Sequence, residues 1–76
     1  MVRELVSELY GVHRESLTDD SRLSTIVGSN INSLADVFIE LERRNEVMFS
    51  SREIDSIVTL GDLERAVHRK KRPGFW

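Results

Sequence analysis

From Gly28 to Arg44 the chain reads GSNINSLADVFIELERR, a stretch that opens with a glycine and two asparagines and then meets no helix breaker. At about 100° per residue, Ile31, Leu34, Ala35, Phe38 and Leu41 fall on one side, with Val37 and Ile39 flanking them. Ser33, Asp36 and Glu40 fall together on the opposite side. An apolar stripe backed by a polar one is the pattern of an amphipathic helix that buries one face against other elements. Asn30 or Asn32 is the expected cap, because a short polar side chain accepts from the free N–H groups of a first turn. Ser33 then stands in that first turn as an exposed hydroxyl in the company of two carboxylates.

The rest of the chain has to cover that stripe. Val2, Leu5, Val6 and Leu9 recur at helical spacing, and Gly11 is a natural stop for a first helix. The stretch from Val12 to Val27 reads as a long connection with turn chemistry at Thr18-Asp19-Asp20-Ser21, pinned to the core by Leu17, Leu23, Ile26 and Val27. After the central helix, Val47 and Phe49 turn inward from a short link. Ser50-Ser51-Arg52-Glu53 has the form of a capping box for a short helix. Thr59 with Asp62 starts the last helix, whose stripe is Leu60, Leu63, Ala66 and Val67. No segment alternates like a strand. The expected fold is all-α: a small four-helix bundle with three main helices, one short helix and a long first loop. Its expected core joins Leu5, Leu9, Leu34, Phe38, Leu41, Phe49, Ile57, Leu63 and Val67.

Composition narrows the function. With 76 residues and no cysteine, the chain has no disulfide framework and no thiol nucleophile of its own. No apolar run approaches bilayer length and the first residues are amphipathic, so a cytoplasmic location with no membrane partner is expected. The net charge of −2 conceals an asymmetry: residues 1–64 hold all 13 acids against six arginines, whereas residues 65–76 hold five basic residues and no acid. An acidic body suits positively charged partners. His13 and His68 are far apart with no third ligand near, so no metal is expected. Asp19-Asp20 reads as turn chemistry rather than a metal pair. Arg69-Lys70-Lys71-Arg72 complements a helix C-terminus.

The layout and several local stretches resemble the acyl carrier protein family, peptidyl carriers included. Leu9-Tyr10-Gly11-Val12 looks like the family's end of the first helix. The segment Leu17-Thr18-Asp19-Asp20-Ser21-Arg22-Leu23 looks like its loop, and Ile57-Val58-Thr59-Leu60-Gly61-Asp62-Leu63 is close to its start of the last helix. The resemblance implies a carrier-like domain over residues 1–68, followed by a basic and aromatic tail over 69–76. It also implies a 4′-phosphopantetheine arm on a serine at the start of the second helix, bearing acyl or aminoacyl groups as thioesters between biosynthetic enzymes. Partners would be acyl- or aminoacyl-transferring enzymes and a phosphopantetheinyl transferase, with Asp36, Glu40 and Glu42 as the docking face and a monomeric carrier.

At the attachment motif the chain departs from the family's Gly-x-Asp-Ser-Leu. The nearest local match is Ile31-Asn32-Ser33-Leu34, with Asn32 in the aspartate's place. An ungapped register anchored on Gly11, Gly28 and Leu41 instead puts Ile31 in the serine column. The family has an apolar residue ten positions after its serine; from Ser33 that position is Arg43. Three readings of Ser33 follow. It bears the arm; or Ile31 has replaced the family's serine and the domain is an arm-less interaction module; or Ser33 is an ordinary helix-start serine. No base stands beside Ser33 in sequence, so an enzyme is not expected. A nucleic-acid-binding domain would place arginines where Asp36, Glu40 and Glu42 stand, so no nucleic acid is expected as a partner.

Overall fold

In the computed structural model, residues 2–28 and 33–71 are described, Lys71 by its backbone alone. The elements are α1 (Val2–Tyr10), a 3-10 turn (Arg14–Ser16), α2 (Leu23–Val27), α3 (Leu34–Asn45), α4 (Ser51–Ser56) and α5 (Leu60–Lys71). The fold is all-α, and among the described residues the only extended pairing is an isolated bridge between Arg22 and Thr59.

Helix α1 buries Val2, Leu5, Val6 and Tyr10. It ends as its sequence demands. Gly11 takes φ +67°, and the N–H groups of Gly11 and Val12 both return to Ser7 O, at 2.9 and 3.2 Å, closing the helix in a left-handed turn that an L side chain would strain.

The expected long connection is more structured than a loop. Helix α2 lies inside it, built from Leu23-Ser24-Thr25-Ile26-Val27. Five residues rich in β-branched and hydroxyl side chains carry little helix propensity, so nothing local announces this helix. Tertiary bonds make it. Leu23 is 2% exposed; its N–H donates to Val58 O at 2.9 Å, and Leu60 N–H donates to Ser21 O at 2.8 Å. Gly61 lets the same two segments touch: its N–H donates to Asp19 O at 2.9 Å, and a Cβ there would stand 2.9 Å from that oxygen. Half-buried Arg3 joins three elements, with Nη1 on Leu17 O at 2.9 Å, Nε on Glu64 Oε2 at 3.2 Å and Nη2 on Asp19.

One core holds Val2, Leu5, Val6, Tyr10, Leu17, Leu23, Val37, Phe38, Leu41, Phe49, Ile57, Leu60, Leu63, Ala66 and Val67. Seven of the nine expected core residues are in it, while Leu9 and Leu34 are half-buried at its margin. The buried face of α3 is rotated from the expected one. Val37, expected on the flank, is fully buried, whereas Ala35 is exposed and Ile39 is 57% exposed. Leu34, Val37, Phe38 and Leu41 share the i, i+3, i+4, i+7 seam, and α3 turns that seam toward α1 and α2. Phe38 meets Phe49 edge to face, ring centroids 5.4 Å apart.

The two later capping boxes form as read from the sequence. Ser50 N–H donates to Glu53 Oε1 at 2.8 Å and Glu53 N–H to Ser50 Oγ at 3.1 Å. Thr59 N–H donates to Asp62 Oδ2 and Asp62 N–H to Thr59 Oγ1, both at 3.1 Å. The last helix continues through Lys71, so the basic run begins inside it. Lys70 Nζ pairs with Glu53 Oε2 at 2.8 Å and lies 5.5 Å from the centre of the Phe49 ring. Arg72 and the Pro73-Gly74-Phe75-Trp76 tail lie outside the described residues. Among the described residues no helix is long and apolar enough to cross a membrane.

Candidate functional site

Ser33 is the N-cap of α3, in extended backbone at φ −80° and ψ 171°. Helix α3 therefore starts at Leu34, later than expected, and Ser33 itself takes the place assigned to Asn30 or Asn32. Those two residues and Ile31, the alternative attachment column, lie outside the described residues. The chemistry explains why Ser33 caps. Three residues on stands Asp36, and the two close a capping box: Ser33 N–H donates to Asp36 Oδ2 at 2.8 Å, with the Ser33 side chain set against the Asp36 N–H. Neither asparagine has an acid three residues ahead, so neither can reciprocate in this way.

Ser33 is solvent-exposed while its carbonyl is held from the inside. Tyr10, at the end of α1, is 4% exposed, and its O–H donates to Ser33 O at 2.7 Å. Asp36 N–H donates to the same carbonyl at 3.1 Å. Sequence reasoning missed this contact, since Tyr10 gives no sign of its partner.

The three acids of the expected docking face all have partners within the chain. Asp36 serves the cap. Glu40 takes Arg43 Nη2 on both oxygens, at 2.8 and 3.0 Å, and Arg44 Nε at 3.1 Å. The Arg43 bond, with that of Arg44 behind it, holds the Glu40 carboxyl below its ordinary range. Glu42 accepts from Phe49 N–H at 2.8 Å and so ties the α3–α4 link to α3. Ser33 and Asp36 come together as expected. Glu40 is committed to the arginines one turn further along.

No family model matches the chain. It is similar to the acyl carrier protein of Thermotoga maritima, 25% identical over 69 residues that cover 91% of this chain and 85% of that protein. That span takes in most of the described elements.

Beside Ser33 a groove of about 250 Å³ runs between α3 and α4, lined by Leu34, Ala35, Phe38, Ile39, Glu42 and Ile54. Leu34 and Ala35 are the two residues that follow Ser33. The sequence signal for this groove was an apolar stripe wider than the core needs: Ala35, expected inward, and Ile39, expected on the flank, line an open surface instead. An exposed hydroxyl at a helix N-terminus, next to an apolar channel, can accept a group through its oxygen and shelter that group's apolar part. Among the described residues no cluster of three His, Asp or Glu side chains could hold a metal.

Proposed function

We propose that this chain is a carrier protein of the acyl carrier type, which bears acyl or aminoacyl groups on a 4′-phosphopantetheine arm at Ser33. The observation that carries this reading is that Ser33 is an exposed residue capping the long α3 helix, a helix-start serine of the kind that bears the family's arm, two residues after the column that the ungapped register gives to Ile31. The similarity to an acyl carrier protein over 91% of the chain supports a carrier role in general. The residues fit the arm in two respects. Ser33 offers the nucleophilic oxygen, and the groove of Leu34, Ala35, Phe38, Ile39 and Ile54 offers apolar cover beside it.

Attachment forms a bond between Ser33 Oγ and phosphorus and breaks the pyrophosphate linkage of coenzyme A. Adenosine 3′,5′-bisphosphate leaves, and the Ser33 proton passes to a base of the transferase. When bound, the arm supplies the thiol that a chain without cysteine lacks. Ser33 must give up its cap contact to react, while Tyr10 keeps the Ser33 carbonyl in place from the core side. Acyl- or aminoacyl-transferring enzymes are then the partners. Their docking surface is centred on α3, where Asp36, Glu40 and Glu42 stand among Arg43 and Arg44.

A second reading is favoured by one observation. The Asp36 carboxylate already lies on the α3 N-terminus, accepting from Ser33 N–H at 2.8 Å. A phosphodiester there would face a like charge. On that reading the domain has no arm and acts through protein contacts alone. Intact mass after incubation with a broad-specificity phosphopantetheinyl transferase and coenzyme A separates the two. One added arm, abolished by Ser33→Ala, is expected; an unchanged mass, where an ordinary carrier is fully modified, overturns the first reading in favour of the second.

A further inference from the structure

We propose that Tyr10 is the positioning residue for arm attachment: its hydroxyl clamps the Ser33 carbonyl and so holds the attacking oxygen outward on a fixed cap. The inference rests on the carrier reading and adds a residue on a different helix to that site.

Three features of Tyr10 support it. The ring is buried at the end of α1, so the hydroxyl is delivered from a rigid base. The donated bond to Ser33 O, at 2.7 Å, has the ordinary length of a good O–H···O hydrogen bond and crosses from α1 to the N-cap of α3. Burial, aided by the Asp36 charge, raises the phenol above its ordinary value, so it stays protonated and remains a donor at neutral pH.

The Ser33 side chain has to leave its contact with the Asp36 N–H when it attacks. At that moment the bond from Tyr10 still holds Ser33 from another helix. A backbone pinned on its inner side keeps Oγ on its outer side, so the reacting oxygen is presented in few orientations. Without the hydroxyl, the cap carbonyl loses its donor from α1 and is left with donors of its own helix, the Asp36 N–H at 3.1 Å among them.

The decisive experiment compares parent, Tyr10→Phe and Ser7→Ala in steady-state attachment of the arm from coenzyme A by a broad-specificity transferase. Ser7 Oγ donates to Val12 O, not to Ser33, at 2.6 Å at the same end of α1, so Ser7→Ala loosens that end while leaving the Tyr10 donor in place. Tyr10→Phe should lower kcat about tenfold, the scale of one hydrogen bond, with KM little changed, and Ser7→Ala should match the parent. Amide exchange at Asp36 and Val37 should quicken in Tyr10→Phe while exchange in α5 stays as it was.

Equal kcat for Tyr10→Phe and the parent overturns the positioning role and leaves the carrier reading standing. Equal slowing by Ser7→Ala overturns it too, since general loosening would then be the cause. A parent that never gains the arm removes the carrier reading and the positioning role with it, and amide exchange then reports on the clamp alone. Should Tyr10→Phe not fold, fluorotyrosine at this single tyrosine keeps ring and donor with a more acidic hydroxyl. Its kcat should equal or exceed the parent's, and a lower one would refute the clamp.

Discussion

Val37 and Ile39 are two residues apart on α3, both β-branched and both expected on the flank of the apolar stripe, yet one is fully buried and the other 57% exposed. Truncating each to alanine tests the rotation of α3 directly. Val37→Ala removes two methyl-sized groups from the core, about 0.8 kcal/mol each in transfer, and leaves a void worth roughly 1 kcal/mol more. Alanine's better helix propensity returns about 0.5 kcal/mol. The net loss is about 2 kcal/mol. Ile39→Ala gives up only part of its contact with the groove and gains the same propensity, so it should stay within about 0.5 kcal/mol of the parent. In a domain of this size each kcal/mol moves Tm by about 4–8 °C. Thermal melts by far-UV circular dichroism should therefore show Val37→Ala about 8–16 °C below the parent and Ile39→Ala within about 4 °C of it. Equal losses, or the larger loss at Ile39, would refute the assigned helix face.

Phe38→Ala removes a buried ring that stacks edge-on against Phe49 and should cost about 3–5 kcal/mol, read as a fall in the denaturation midpoint. Gly61→Ala places a Cβ 2.9 Å from the Asp19 carbonyl and should destabilise by about 1–3 kcal/mol; a neutral result would mean that the α5 start and the first loop do not touch. Ser33→Ala removes a cap and should lower stability by about 1 kcal/mol while leaving the domain folded, so its loss of arm attachment can be read as chemistry. Acid titration has a defined sign. Glu53, through Lys70, and Asp62, through the Thr59 N–H, are held at about 2 in the folded chain against ordinary values of 4.5 and 3.8. Their contribution is complete above those ordinary values and is lost as pH falls toward the folded ones. Tm should drop across that window, and Glu53→Gln should flatten part of the drop; a Tm independent of pH there would contradict the Glu53–Lys70 pair and the Asp62 cap.

Local chemistry made most of the scaffold legible. The Gly11 stop and the Ser50–Glu53 and Thr59–Asp62 boxes each depend on residues within one turn, where side-chain oxygen, backbone N–H and chain geometry meet without outside help. The all-α class followed from helical periodicity for the same reason. Three things needed the tertiary structure. Helix α2 has weak propensity and exists because Leu23 is anchored in the core and bonded to Val58 O. The face of α3 was ambiguous in a stripe that included Ile31, Leu34, Ala35, Val37, Phe38, Ile39 and Leu41. Only the position of α1 and α2 selects Val37 for the inside and leaves Ala35 and Ile39 to line a groove. At the site itself, Ser33 and its exposure were legible, as was the proximity of Asp36, because all lie within one turn. The clamp from Tyr10 joins residues 23 apart in the chain, and the binding of Glu42 to Phe49 N–H depends on how the α3–α4 link folds back. Sequence periodicity carries information about neighbours along a helix. Which of those neighbours meets another helix, and which meets water, is set by how the helices pack.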